Sequence, residues 1–221
     1  MSEASTSFNF EAMSSRDRYK ILTGTIVPRP IALVSTVDLN GVVNAAPISF
    51  FNCLSSDPAM LVLGIAHRDD GTRSDTAKNI GDTGVFVVNV VSRAMLQAMN
   101  VCGIPFPAGV SELTAAELHA VASDRVIAPR IVEAPAAFEC RRTVTLSVDP
   151  TREIILGEVV TAHVKSHLIN ERLHTDQRAL DAVGRMGGAT YAFSTNLFDL
   201  ETPSLAAWEA SRVQPKSTVH E

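Results

Sequence analysis

The chain has 221 residues, of which 46% are hydrophobic and only 19% are charged. A chain of this length can bury a full hydrophobic core, and this composition excludes a disordered or fibrous protein. The length predicts one domain over residues 1–221. With a net charge of −5, the chain lacks the excess of basic residues that a protein needs to wrap nucleic acid, so we expect no nucleic-acid partner.

The cysteines and the apolar runs indicate the compartment. Cys53, Cys102 and Cys140 are odd in number and none are spaced as C-x-x-C, so neither a disulfide framework nor a zinc site is predicted. The longest apolar runs, such as Met60–Ala66 and Val85–Val91, fall short of the roughly 20 residues that cross a bilayer. The N-terminus lacks a basic region followed by an apolar one. We expect a cytoplasmic protein with no bound metal and no membrane partner.

The predicted elements begin with a helix and continue as strands. Ser14 and Asp17 are typical of a helix start. Asp38–Gly41 is typical of a hairpin turn, in which Asn40 and Gly41 would supply positive φ angles. Strand-length apolar runs, too closely spaced for repeated βαβ units, favour an antiparallel sheet or barrel. These runs are Ile31–Val37, Val42–Ala46, Met60–Ala66, Val85–Val91, Phe138–Val148 and Ile154–Val164.

Three further helices are predicted downstream. Ser92 would open a helix whose Met95, Met99 and Cys102 share one face, which is typical of core packing. Thr114 and Glu117 have the spacing of a capping box. A last helix is expected over about Pro203–Ser211, followed by a loose polar tail over about 214–221.

Common catalytic motifs are missing from the sequence. It contains no G-x-G-x-x-G, no P-loop, no G-x-S-x-G and no H-E-x-x-H. His163 and His167 are four apart, but hydrogen-bonded or exposed histidines explain this spacing better than a metal does. His67 ends an apolar run, where contact with a ligand and simple exposure to solvent both remain open.

Small and polar residues crowd the first hairpin. Ser35, Thr36 and Asn44 offer hydroxyl and amide groups, and Ala45 and Ala46 would let a flat ligand approach the backbone. The alternative is a tightly packed hairpin whose polar groups face water. Pro47 lacks a backbone donor, so its strand should be interrupted or lie at an edge.

The loop after the third apolar run could bind a phosphate group. Arg68, Arg73 and Thr76 offer charge and a hydroxyl ahead of a helical turn. Asp69, Asp70 and Asp75 in the same loop oppose an anion, and charged loops are usually just solvated.

Four segments taken together resemble a known family. They are Y-K-x-L-x-G-x-I-V-P-R-P-I-A-L-V-S-T at Tyr19–Thr36, N-x-A-P-x-S-F-F at Asn44–Phe51, D-T-x-x-N-I at Asp75–Ile80, and R-M-G-G-x-x-Y with L-F-D-L within Arg185–Leu200. In this order they resemble the flavin reductase-like family, the FMN-binding split β-barrel proteins. The resemblance covers about Phe10 to Pro203.

The resemblance implies a mostly β fold, an antiparallel split barrel with peripheral helices, usually as a homodimer with FMN near the subunit interface. The flavin ring would lie along the Arg29–Thr36 strand and its partner Asn44–Ser49, and its phosphate would meet Ser49 and the Arg73–Asn79 loop. Ser74 stands where relatives commonly carry Lys, so Arg73 is the residue expected to supply that charge. The implied cofactor-binding residues are Arg29, Ser35, Thr36, Asn44, Ala45, Ala46, Pro47, Ser49, Phe50, Arg73, Thr76 and Asn79.

The implied activity is an FMN-dependent NAD(P)H oxidoreductase of the flavin reductase type. Hydride would pass from NADH or NADPH to flavin, and reduced flavin would reach a partner oxygenase or redox protein. The flavin carries the chemistry, so no catalytic residue is named. The alternatives are an FMN-binding electron-transfer protein without NAD(P)H turnover and a barrel that has lost FMN.

Overall fold

A computed structural model describes residues 4–107 and 110–213, so the predicted polar tail at about 214–221 lies outside the described residues. Antiparallel β-strands form the centre of the fold, and the helices lie at its periphery. The helices are α1 Ser15–Thr25, α2 Asp75–Thr83, α3 Leu96–Val101, α4 Glu112–Ala115, α5 Gln177–Leu180 and α6 Leu205–Val213.

Seven strands form one antiparallel sheet in the order β3-β2-β6-β9-β10-β5-β4. A three-stranded sheet, β1-β11-β12, and a two-stranded ribbon, β7-β8, accompany it. The strands are β1 Arg29–Pro30, β2 Ala32–Val37, β3 Val43–Ile48, β4 Phe51–Ser56, β5 Ala59–Ala66, β6 Val85–Val90, β7 Ala120–Val121, β8 Arg130–Ile131, β9 Ala136–Asp149, β10 Arg152–Val164, β11 Val183–Arg185 and β12 Tyr191–Phe193.

The connection between β3 and β4 forces the large sheet to curl. These strands are its two opposite edges, yet only Ser49 and Phe50 separate them along the chain. A flat sheet of seven strands would hold its edges about 29 Å apart. Three Cα steps span at most about 11 Å, so the edges must approach each other while remaining unpaired. This geometry is the predicted split barrel, and the prediction is confirmed.

The barrel interior is apolar and closely packed. Leu63, Phe86 and Ile155 are fully buried there, and α2 covers the interior with Ile80. Gly157 lies against the Phe86 ring, where even one added Cβ would collide with the aromatic carbons. The position therefore has room only for glycine.

Several local predictions differ from the structure. β4 was not predicted, because its polar residues break the apolar run. The hairpin forms at Asp38–Gly41, but only Gly41 has a positive φ, of 85°, since the turn places the left-handed conformation at one residue. β3 lies at an edge as Pro47 predicts, but it continues to Ile48 without interruption.

The helix predictions are right in kind and partly wrong in bounds. The caps of α1 and the buried Met95, Met99 and Cys102 are confirmed. The capping box is wrong: α4 begins after Ser111, which places Thr114 inside the helix and leaves Glu117 beyond its end with φ 55°. The last helix, α6, starts two residues later than predicted. No helix in residues 4–107 and 110–213 is long and apolar enough to span a bilayer.

Candidate functional site

A cleft of about 810 Å³ opens at the split of the barrel. Its walls come from α1, from the Ser49–Phe50 connection, and from β4, β5 and the β9–β10 turn. Most of its surface is apolar, and several charged side chains contribute to it. The lining includes Tyr19, Arg29, Ser49, Phe50, Val148 and Glu153.

Two aromatic rings form part of the cleft wall. Tyr19 and Phe50 pack edge to face, with ring centroids 6.2 Å apart and an interplanar angle of 68°. Phe50 is 41% exposed although it is large and apolar. Beside it, the Ser49 hydroxyl has no protein partner among residues 4–107 and 110–213. The cleft therefore offers exposed aromatic surface next to a free donor, which suits a flat heteroaromatic ligand.

Arg29 is a buried cation at this cleft. Its Nη1 donates to the carbonyls of Thr23 (2.6 Å) and Ile26 (2.8 Å), and its Nη2 donates to that of Met186 (2.9 Å). Its Nε is buried without a partner. No carboxylate within the described part of the chain pairs with Arg29, so its charge is balanced only by carbonyl dipoles. This charge favours anionic ligand groups nearby.

An ion-pair cluster of Glu153, Arg73 and His67 lies at the cleft, and Glu153 is the member that lines it. The Glu153 carboxylate, only 6% exposed, lies 2.8 Å from Arg73 Nε and 3.2 Å from His67 Nε2. Burial raises the pKa of Glu153, but the hydrogen bonds from Arg73 and His67 outweigh burial and hold that pKa below its ordinary value. The His67 side chain is 9% exposed, so simple exposure to solvent is the wrong interpretation of this residue.

Four of the predicted residues form a buried polar cluster between the first hairpin and α2. Asn79 Nδ2 donates to Thr36 Oγ1 at 3.1 Å. The Asn44 amide lies 3.0 Å from Thr76 Oγ1 and 3.2 Å from Glu112 Oε1. The orientation that satisfies both neighbours has Asn44 donating to Glu112 and accepting from the Thr76 hydroxyl. The cluster thus fastens the N-terminal turn of α2 to β2 and β3.

Glu112 covers the outer edge of β3. Its Oε2 accepts from the backbone N–H of Ala45 at 3.1 Å. The backbone N–H of Ala45, on the same edge strand as Pro47, is therefore already occupied. Ala46 and Pro47 lie half-buried on the same edge, beside the cluster rather than in the cleft.

Ser35 faces away from this cluster because side chains alternate along a strand. Its Oγ donates to the Pro129 carbonyl at 2.5 Å and accepts from Asn89 Nδ2 at 2.9 Å. Asn89 in turn accepts from the Ile131 N–H at 2.9 Å. The Ser35 hydroxyl thus holds the segment that leads into β8.

The structure therefore brings together only some of the predicted residues. Arg29, Ser49 and Phe50 line the cleft, and Arg73 reaches its wall through Glu153. Tyr19, Glu153 and Glu112 complete the arrangement, but sequence reasoning did not select them as site residues. Tyr19 lay within a quoted motif and could have been selected, whereas nothing in the spacing pointed to the two glutamates.

A family model for the flavin reductase like domain matches residues 23–184 of the chain. The chain belongs to the flavin reductase-like family.

Proteins from several bacteria are similar over nearly the whole chain. An uncharacterised protein from Deinococcus radiodurans is 40% identical over 211 residues, which is 92% of each chain. Nitrilotriacetate monooxygenase component B from Bacillus cereus is 31% identical, covers 90% of this chain and 100% of its own, and superposes with a TM-score of 0.85. The 2-nitrobenzoate 2-nitroreductase of Pseudomonas fluorescens is 32% identical, with coverages of 90% and 98% and a TM-score of 0.84.

The donor set of the cleft fits the flavin that the family is named for. Tyr19 and Phe50 offer aromatic surface for a planar ring system, and Ser49 offers a donor for ring heteroatoms. The buried Arg29 guanidinium favours negative charge on the ligand. The polar cluster at α2 places a helix N-terminus, with its unpaired N–H groups, on the same side of the molecule as Arg73.

The ion pairs of Glu153 predict a specific dependence of stability on pH. Because its pKa is lowered by folding, Glu153 stabilises the fold above its unfolded pKa, and this contribution disappears as the pH falls through the lower folded pKa. Glu153→Gln should therefore cost about 1–3 kcal/mol of unfolding free energy near pH 7. Near pH 3.5, which is below the ordinary pKa of a glutamate, the difference from wild type should shrink, because protonation of Glu153 in the unfolded chain then reduces its contribution.

Urea unfolding at the two pH values measures this difference. Glu171→Gln, which changes an exposed glutamate elsewhere, is the matched control and should leave stability unchanged at both. An equal loss for Glu153→Gln at both pH values would contradict the ion-pair interpretation.

Proposed function

We propose that this protein is an NAD(P)H:FMN oxidoreductase of the flavin reductase type, with FMN held in the cleft at the split of the barrel. The observation that carries the proposal is the combination in one cleft of exposed aromatic surface with the buried, carboxylate-free guanidinium of Arg29. Such a site binds a planar ring and stabilises negative charge on it.

The position of FMN follows from the two groups of predicted residues. The ring would lie against Phe50, within reach of the Ser49 hydroxyl. The phosphate would lie toward the N-terminal turn of α2, where Thr76 N–H and the helix dipole favour an anion. Ser74 caps this helix, because its side chain accepts from Ala77 N. Since serine carries no charge, the adjacent Arg73 is the cation that would meet the phosphate, although Arg73 also forms an ion pair with Glu153.

Bound FMN would supply the hydride-accepting chemistry, and the protein's tasks would be binding, orientation and electrostatics. Arg29 holds a positive charge beside the ring position and thereby favours a reduced, anionic ligand. Phe50 and Tyr19 exclude water from one face. The open side of the cleft leaves the other face accessible to a nicotinamide donor.

Two relatives support an electron-donating role. One is a component of a monooxygenase and the other is a nitroreductase. We extend this to the chain itself: reduced FMN formed in the cleft would serve a separate oxygenase or redox partner.

Spectroscopy of the purified protein tests the activity. We expect FMN to bind saturably, and we expect NADH or NADPH oxidation to require added FMN. FMN binding without any nicotinamide oxidation, together with reduction by a redox protein, would replace the reductase with the electron-transfer alternative. A protein that binds no flavin would overturn both.

Arg73 provides a test of the phosphate position. Arg73→Ala should weaken FMN binding by roughly tenfold or more, because a charge-assisted contact to the phosphate is lost. Binding of riboflavin, which lacks the phosphate, should not change. Titrations followed by flavin fluorescence measure both affinities.

Glu153→Gln is the matched control for Arg73→Ala. It breaks the same ion pair but frees Arg73, so its FMN affinity should equal or exceed that of wild type. Equal losses of FMN and riboflavin affinity in Arg73→Ala would contradict a phosphate contact and indicate a general disturbance of the cleft.

We further propose a homodimer formed through the outer face of β9. Val144, Leu146 and Val148 are 40%, 51% and 60% exposed on one face of that strand, which is unusual for adjacent apolar side chains. Val148 also lines the cleft. A second copy on this face would therefore cover apolar surface and border the flavin position of the first.

Leu146→Asp tests the dimer. A charge in the middle of the face should shift sedimentation equilibrium from dimer to monomer with an unchanged circular dichroism spectrum. Leu39→Asp changes an equally apolar side chain, 75% exposed in the first hairpin turn, and should remain dimeric. A monomeric wild type would refute the proposal.

A further inference from the structure

A second cavity, of about 570 Å³, lies at the other end of the β9–β10 ladder. The β7–β8 ribbon forms one wall, and the start of β9 and the end of β10 form the other. It shares no lining residue with the flavin cleft. Glu153 at the cleft and His163 at this cavity are ten residues apart on β10, which corresponds to roughly 30 Å along a strand.

Three basic side chains line this cavity, and two of them have no acidic partner in the described chain. Arg130, His163 and Lys165 contribute to the lining, and no carboxylate does. Arg130 Nη2 donates to the Ala122 carbonyl at 3.0 Å, and Lys165 Nζ donates to the Glu133 carbonyl at 3.1 Å. Within the part of the chain that the structure describes, neither cation lies within ion-pair distance of a carboxylate. Arg130 and Lys165 therefore place two positive charges at the cavity without a paired carboxylate among the described residues, although the net charge of the protein is −5.

The side chain of His163, the third basic residue of the lining, is held in place by a buried carboxylate. His163 Nε2 lies 2.6 Å from Oε1 of the fully buried Glu139. The Glu139 carboxylate also accepts from the backbone N–H groups of Asp124 (2.8 Å) and Arg125 (2.7 Å). The 2.6 Å separation is that of a hydrogen bond, whereas two ligands of one zinc ion stand about 3 Å or more apart. We therefore interpret Glu139 as the residue that orients His163, and we do not interpret Asp124, Glu139 and His163 as a metal centre.

The wall that carries Arg130 is also held in place. The Ile131 N–H donates to the buried Asn89 Oδ1, and Ser35 holds the Pro129 carbonyl just before it. Ile131, Ala134 and Ala137 are buried in the cores on either side. These hydrogen bonds and packing contacts fix the wall of the cavity, which lowers the entropic cost of binding.

We propose that this cavity binds a small organic anion, namely a carboxylate attached to an apolar body. Arg130 and Lys165 supply the charges that the carboxylate requires, and Val121, Val132 and Val164 supply apolar surface for the body. The volume lies within the range of small-molecule sites. This inference does not depend on flavin binding, since the cavity and the cleft are separate.

Isothermal titration with benzoate tests the site in the full-length protein. Benzoate should bind saturably to wild type, and acetate and benzyl alcohol should each bind at least roughly tenfold more weakly, because one lacks the apolar body and the other lacks the charge. The double variant Arg130→Gln, Lys165→Gln should lose roughly tenfold or more of the benzoate affinity. Saturating FMN should leave benzoate binding unchanged.

The double variant Lys20→Gln, Arg172→Gln is the matched control, since it removes one exposed lysine and one exposed arginine that do not line the cavity. It should bind benzoate as wild type does, and circular dichroism should show all variants folded. The proposal is overturned by absent benzoate binding, by equal losses in both double variants, by acetate or benzyl alcohol binding as well as benzoate, or by displacement of benzoate by FMN. A failure of FMN binding alone would refute the proposed function and leave this site intact.

Discussion

The short connection from β3 to β4 is the constraint on which the rest of the molecule depends. Two residues, Ser49 and Phe50, join the opposite edges of a seven-stranded sheet. Since these edges would stand far apart in a flat sheet, the sheet must curl, and its edges meet without pairing. The same two residues then line the gap they create. The candidate flavin site is thus a geometric consequence of the chain path, and its aromatic wall is part of the connection itself.

Buried polar groups fasten the pieces that this curl brings together. Asn79 and Thr36 join α2 to the first hairpin, Glu112 covers the edge of β3, and Glu153 joins the β10 strand to Arg73. Each of these polar groups has a hydrogen-bond or ion-pair partner from a distant part of the chain, and these partners offset the free-energy cost of burying the group. Because Arg73 pairs with Glu153, anion binding at α2 would compete with a structural ion pair. Under the proposed function, the polar groups near the flavin position would therefore have both a structural and a ligand-binding role.

The β9–β10 ladder separates two chemically different sites. At one end, Glu153 neutralises its neighbouring cations beside an aromatic cleft. At the other end, Arg130 and Lys165 lack such a partner among the described residues, while Glu139 orients His163. The ladder between them keeps the two cavities apart, so each could bind the ligand proposed for it without excluding the other.

The sequence by itself determined the family, the antiparallel barrel and most strand positions, because these depend on local apolar patterns and on long ordered motifs. It also predicted that the strand of Pro47 is interrupted or lies at an edge, and the strand does lie at an edge. Only the tertiary structure decided what the polar residues contact. Adjacent Ser35 and Thr36 face opposite sides of one strand, and Arg73 pairs with Glu153, 80 residues away. Such partners are set by how the sheet curls, and no local pattern in the chain encodes that distance.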